Sequence, residues 1–212
     1  MIGTFITFEG IEGCGKTTQL KLLAEELKRR GSSVVTTREP GGTAIGDEIR
    51  HILLNPHHHA MEPLTELFLY AAARSQHVHD VIRPALAQGK VVLCDRYVDA
   101  TRAYQGAARR IDAAILEQLI DVPTGGLLPH LTLLLDCPVN IGLQRATQRE
   151  SQTSRSADRF EREAIDFHER VRQGYLDMAL REPKRMKVID ARSDQKTIHQ
   201  HILAEVQRDC GI

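Results

Sequence analysis

Residues 10–17 read GIEGCGKT, a Gly-x-x-x-x-Gly-Lys-Thr run between the apolar segment FITFE and an amphipathic stretch that opens near Lys16. Its glycines let the backbone curl so that successive N–H groups converge on phosphate oxygens, with a helix N-terminus behind them. Gly10, Ile11, Glu12, Gly13, Cys14, Gly15, Lys16, Thr17 and Thr18 are therefore the expected nucleotide-binding residues. Lys16 is spaced to reach β- and γ-phosphates, and the Thr17 hydroxyl to join a Mg²⁺ shell. Asp95 closes the run VVLC, where a carboxylate can orient the metal or its waters, and the adjacent Arg96 can serve the transferring phosphoryl group. Asp136 ends LTLLL in the same way, but with Pro138 following it reads equally well as a helix cap. Cys14, inside the loop and near Lys16, fits either a reactive thiolate or a small buried side chain.

Elements must carry these residues to one place. Short β-rich runs at Thr4–Glu9, Ser33–Thr37, Lys90–Cys94, Leu131–Asp136 and Lys187–Asp190 alternate with helical patterns near 16–30, 44–54, 63–88, 112–121, 139–150, 160–181 and 194–208. Gly31 and Gly89 stand where helix C-terminal glycines belong. Runs such as VVLC are apolar on both faces, which suits a parallel sheet covered by helices. The alternation predicts an α/β fold with a doubly wound five-stranded parallel sheet, in which ligands sit at the carboxyl ends of the strands. Residues 1–212 then form a single domain of P-loop kinase type, with a lid segment near 145–162.

Twenty-eight basic and 28 acidic residues give zero formal charge, which argues against broad binding of nucleic acid. With no run approaching the ~20 apolar residues of a membrane span and no basic leader, the expected location is the cytoplasm, away from membranes. Cys14, Cys94, Cys137 and Cys210 are widely spaced and read as reduced thiols. His57, His58 and His59 follow Asn55-Pro56 and read as a solvated loop rather than a metal site.

Motor ATPases, GTPase switches and kinases all carry such a phosphate loop. The chain has no Asn-Lys-x-Asp guanine motif, and its loop begins at residue 10, which favours a small-molecule kinase. Arg38, Arg74 and Arg96 supply cationic forks for a second anion. An acceptor phosphate, with its second pKa near 6, is already a nucleophile at neutral pH and needs only positioning and charge stabilisation. A hydroxyl acceptor would need a carboxylate base. A deoxynucleoside kinase using Glu12 or Glu39 therefore stays open, as does a nucleotide-dependent switch or assembly ATPase.

GIEGCGKTT, TREPGG at 37–42, YAAARSQ at 70–76, CDRY at 94–97, TRAYQG at 101–106 and ADRFE at 157–161 together resemble the bacterial thymidylate kinases over almost the whole chain. The resemblance implies a homodimer that phosphorylates thymidine monophosphate from ATP with Mg²⁺. It implies that Tyr70 stacks on thymine, that Arg74 bonds the base edge with Thr101 and Gln105 nearby, and that Tyr104 crowds the sugar 2′ position. Arg38 faces the acceptor from a strand end, with a cis bond expected between Glu39 and Pro40. Lys16, Arg96, Glu12 and Arg149 are the implied catalytic set, Glu12 facing the sugar 3′-hydroxyl. In another subclass of the family a P-loop arginine neutralises the γ-phosphate, but here that position is Gly13. The charge is expected from the lid, where Arg145, Arg149, Arg155, Arg159 and Arg162 stand. Arg149 aligns with the family's lid arginine, and Arg155 is the reserve.

Overall fold

The computed structural model describes residues 3–153 and 158–212, with residues 149–153 described in backbone only. Five strands, β1 (Thr4–Glu9), β2 (Val34–Arg38), β3 (Val91–Asp95), β4 (Leu131–Asp136) and β5 (Met186–Asp190), form one parallel sheet in the order β2-β3-β1-β4-β5. Both faces are covered. Ile6 and Phe8 of β1 join one hydrophobic cluster with Leu23, Val171 and Ile202, while Phe5 joins another with Leu67, Val92 and Ile120. That split is the period-2 alternation of a strand buried on both sides.

Helices α1 (Lys16–Arg29), α2 (Ala44–Leu54), α3 (Pro63–His77), α4 (Arg83–Ala87), α5 (Val98–Thr101), α6 (Ala113–Thr124), α7 (Val139–Thr153), α8 (Ile165–Arg181) and α9 (Gln195–Cys210) connect and cover the strands. The single helix expected over 63–88 is divided by a wide π-type turn at Val78–Ile82, next to Pro84, which has no N–H to give the preceding turn. A second wide turn, Arg102–Ala108, prolongs α5 and packs along α8; periodicity gave no helix there. The helix expected from residue 160 starts at Ile165 instead, because Asp158 Oδ1 accepts from the backbone N–H groups of Phe160 and Glu161 and folds that stretch as a turn. His57 to His59 lie exposed around a short 3₁₀ turn. Among the described residues, no helix is long and apolar enough to cross a membrane.

Candidate active site

The phosphate loop leaves β1 at Gly10 and enters α1 through Gly15 at φ 95°. Gly13, at φ 70°, lies against α7 so closely that a Cβ there would stand 1.9 Å from the Gly142 carbonyl oxygen. In this conformation a side chain at position 13 would have to displace that carbonyl. Lys16 Nζ donates to the carbonyls of Ile11 (2.6 Å) and Gly10 (3.1 Å) and lies 3.4 Å from Cys14 Sγ. Cys14 is only 1% exposed, so it fills the loop as a small packed side chain. The Thr17 hydroxyl donates to Asp95 Oδ2 at 2.6 Å, bringing together the two expected metal-binding residues from α1 and β3.

Arg96 holds the centre of the site from a left-handed backbone conformation, φ 70°, which a non-glycine residue keeps only when its surroundings fix it. Its Nη1 donates to Gly10 O (2.9 Å) and Tyr175 Oη (3.2 Å), and its Nη2 to Glu12 Oε1 (3.0 Å). The guanidinium sits 4.9 Å from the centre of the Tyr104 ring, whose hydroxyl donates to the same Glu12 oxygen at 2.6 Å. His168 Nδ1 lies 3.4 Å from the other Glu12 oxygen. Burial alone would raise the Glu12 pKa, but Arg96, His168, Lys16 and Tyr104 together hold it well below the usual carboxylate range. Deeper still, Glu9 accepts from Tyr97 N and Tyr175 Oη, each at 2.7 Å. Burial, reinforced by Asp99, pushes its carboxyl up to about 8 against the opposing pull of Arg96. Two carboxyls three residues apart are thus driven in opposite directions.

Arg38 ends β2 directly beside Asp95, its register partner on β3, and pairs with Asp47 at 3.1 Å. The next peptide, Glu39–Pro40, is cis, as the sequence predicted. Glu39 turns inward and accepts from Arg74 Nε (2.8 Å) and His77 Nδ1 (3.0 Å). Its burial opposes ionisation, but Arg74 and His77 outweigh it and hold the carboxyl low. Arg74 also donates through Nη2 to Tyr97 O (3.1 Å) and Thr101 Oγ1 (2.9 Å), while Nη1 is buried without a partner among the described residues. Thr101 is fully buried behind Arg74, one layer back from the cleft. A cleft of about 870 Å³ runs from Lys16, Thr17 and Asp95 past Arg38 and Arg96 to a pocket walled by Tyr70, Arg74, Tyr104, Gln105 and Phe160.

Residues 8–202 match the model of the thymidylate kinase family. The chain belongs to that family. It is 53% identical over 206 residues to the thymidylate kinase of Geotalea uraniireducens, covering 97% of each chain, and 56% identical over 190 residues to that of Geobacter sulfurreducens, covering 89% of each. The crystal structure of thymidylate kinase from Ehrlichia chaffeensis superimposes with a TM-score of 0.77 at 34% identity, over 98% of this chain and 100% of that one. The Ehrlichia enzyme thus shares the architecture of this chain.

The lid expectations of this thymidylate kinase family member divide sharply. Arg145 Nη1 donates to Ala191 O at 2.8 Å, beside a second cavity of about 450 Å³ between the phosphate loop and Ser193–Gln195. Arg159 is not a cation facing that space. It is 5% exposed and pinned by Leu53 O (2.8 Å) and Glu66 Oε2 (2.6 Å). Arg162 is exposed, while the Arg149 side chain and the whole of Arg155 lie outside the described residues. Asp136 binds Arg172 through both oxygens, at 2.7 and 2.9 Å.

Sequence reasoning missed Arg50, which donates to Pro40 O at 2.9 Å and whose pKa is lowered by burial and by nearby Arg38. It also missed Phe160, set 5.6 Å from the Tyr104 ring and 6.4 Å from Tyr70. The Phe160 signal was present inside ADRFE; Arg50 gave none beyond its place on an amphipathic helix.

Proposed function

We propose that this chain transfers the γ-phosphoryl group of ATP to the phosphate of thymidine 5′-monophosphate, giving the diphosphate. The observation that carries this reading is the single cleft joining the phosphate loop to an aromatic pocket lined by Arg74, whose Nη1 is buried with no partner among the described residues. The loop N–H groups and Lys16 bind the donor phosphates, and Arg38 and Arg96 hold the acceptor phosphate in line. Thr17 and Asp95 offer adjacent hard oxygen donors of the kind Mg²⁺ prefers, and they are the residues that would hold it. When bound, the ion supplies charge neutralisation on the phosphate oxygens. Tyr70 and Phe160 flank the base, Arg74 and Gln105 meet its edge, and Glu12 and Tyr104 face the sugar.

A hydroxyl acceptor would need a carboxylate base; Glu39 is engaged through both oxygens by Arg74 and His77, and Glu12, held well below the usual carboxylate range chiefly by Arg96, is a weak base. ADP release in a coupled assay is therefore expected with thymidine monophosphate and not with thymidine or without acceptor. Equal release under all three conditions would mark an ATPase.

Glu39 clamps Arg74 against the pocket, so Arg74→Ala is expected to cut kcat/KM for thymidine monophosphate by about 10²-fold or more, the loss typical when a buried polar partner is removed. ATP affinity should change by less than about threefold. Parallel losses for both nucleotides in titration calorimetry would remove Arg74 from base recognition.

We place the enzyme in the cytoplasm, where ATP is made and unpaired thiols such as these four persist. It works as a homodimer. Ile45 and Ile52 of α2 and Phe68 of the neighbouring α3 are exposed, Phe68 by 53%, and supply apolar surface for a partner copy. Phe68→Asp is expected to shift the mass in analytical ultracentrifugation from dimer to monomer. An unchanged mass would put the interface elsewhere.

A further inference from the structure

We infer that Glu66 is a positioning residue for base selection, fixing which end of the Gln105 amide faces the acceptor pocket. Glu66 lies in the first turn of α3 and is 0% exposed. It accepts from Gln105 Nε2 at 2.7 Å, from Arg159 Nη1 at 2.6 Å and from Arg109 at 3.3–3.4 Å. A carboxylate held between two guanidiniums can only accept hydrogen bonds, so of the two ends of an amide only the NH₂ can turn toward it. Gln105, 1% exposed and lining the cleft, is left with its carbonyl oxygen for the pocket; no donor among the described residues reaches that oxygen.

The consequence follows from the chemistry of the bases. Thymine carries an N–H donor at N3 beside a carbonyl acceptor at C4, whereas cytosine carries an acceptor at N3 beside an amino donor. A fixed acceptor at Gln105 and a guanidinium at Arg74 that can only donate complement the first edge and oppose the second. Each reading group has its own buried carboxylate: Glu39 orients Arg74, and Glu66 orients Gln105. Arg109 and Arg159 keep the Glu66 carboxylate in place. Arg159 also packs over Phe160 at 4.4 Å, tying the turn after the lid to the same pocket.

This assignment rests on the proposed acceptor, and one experiment separates the two. The ratio of kcat/KM for thymidine monophosphate over deoxycytidine monophosphate is measured in the wild type, Glu66→Met, Glu66→Gln, Arg159→Met and Gln105→Met. Glu66→Met frees the amide to rotate and should lower the ratio by about tenfold or more. Glu66→Gln, which can present either an oxygen or an NH₂, should lower it several-fold and carries the test should the methionine variant fail to fold. Arg159→Met removes one of the two cations that fix the Glu66 carboxylate and should lower the ratio by less than Glu66→Met does. In the Gln105→Met background, Glu66→Met should change the ratio no further. A merely structural Glu66 would slow both acceptors alike. Activity on thymidine monophosphate with an unchanged ratio in both Glu66 variants overturns the assignment while leaving the function standing. Wild-type inactivity toward both acceptors overturns the function and this assignment with it.

Discussion

Replacing Arg96 by alanine is expected to lower kcat by about 10³-fold or more while ATP affinity stays within a few-fold, the pattern of a cation that acts on transition-state charge. One guanidinium here reaches Gly10 O of the phosphate loop, Glu12 and Tyr175, so it joins the donor side of the cleft to the acceptor side. Burial would weaken its charge, but Tyr104, Tyr175, Glu12 and Glu9 hold its pKa well above the ordinary arginine value, and it stays cationic at every working pH. Arg96→Lys keeps a charge but loses the planar fork and should recover less than about tenfold of the loss. A kcat for Arg96→Ala within about tenfold of wild type, measured at saturating substrates, would remove Arg96 from the chemistry.

Arg149→Ala is expected to lower kcat by a similar factor, ~10³-fold, with little change in affinity for thymidine monophosphate. Beyond Lys16, a second cation for the γ-phosphate cannot come from position 13 of the phosphate loop, because a Cβ at Gly13 would collide with the Gly142 carbonyl. Arg159 is committed to Glu66 and Leu53, and Arg145 to Ala191. Arg149 stands one turn beyond Arg145 and seven residues beyond Gly142 on α7, the helix that touches the loop. Residues at that spacing share a helix face. Near-normal kcat in Arg149→Ala, with loss in Arg155→Ala, would transfer the role to the reserve residue. Loss in neither would refute lid catalysis.

Much of the frame was legible because it depends on local pattern. Short β-rich runs gave all five strands to within a residue at each end, and the loop motif gave the juncture of β1 with α1. What pattern could not show was geometry that arises only when distant elements meet. The wide turns at 78–82 and 102–108 shift the helical phase by a single residue, below what periodicity resolves. Glu66 resembles any first-turn acid on an amphipathic helix, and only the approach of Gln105, Arg109 and Arg159 from two later segments makes it a buried hub. Arg159 looked like one more lid cation for the same reason. In sequence, a buried ion pair and a solvated charge are written with the same letters.

The most direct test follows the label from γ-³²P ATP in a reaction containing thymidine monophosphate. The expected result is label in thymidine diphosphate, formed one for one with ADP and lost in Lys16→Met, whose side chain would no longer reach the donor phosphates. Label recovered in inorganic phosphate, or in the monophosphate when thymidine replaces the nucleotide acceptor, would contradict phosphoryl transfer between two nucleotides in this cleft.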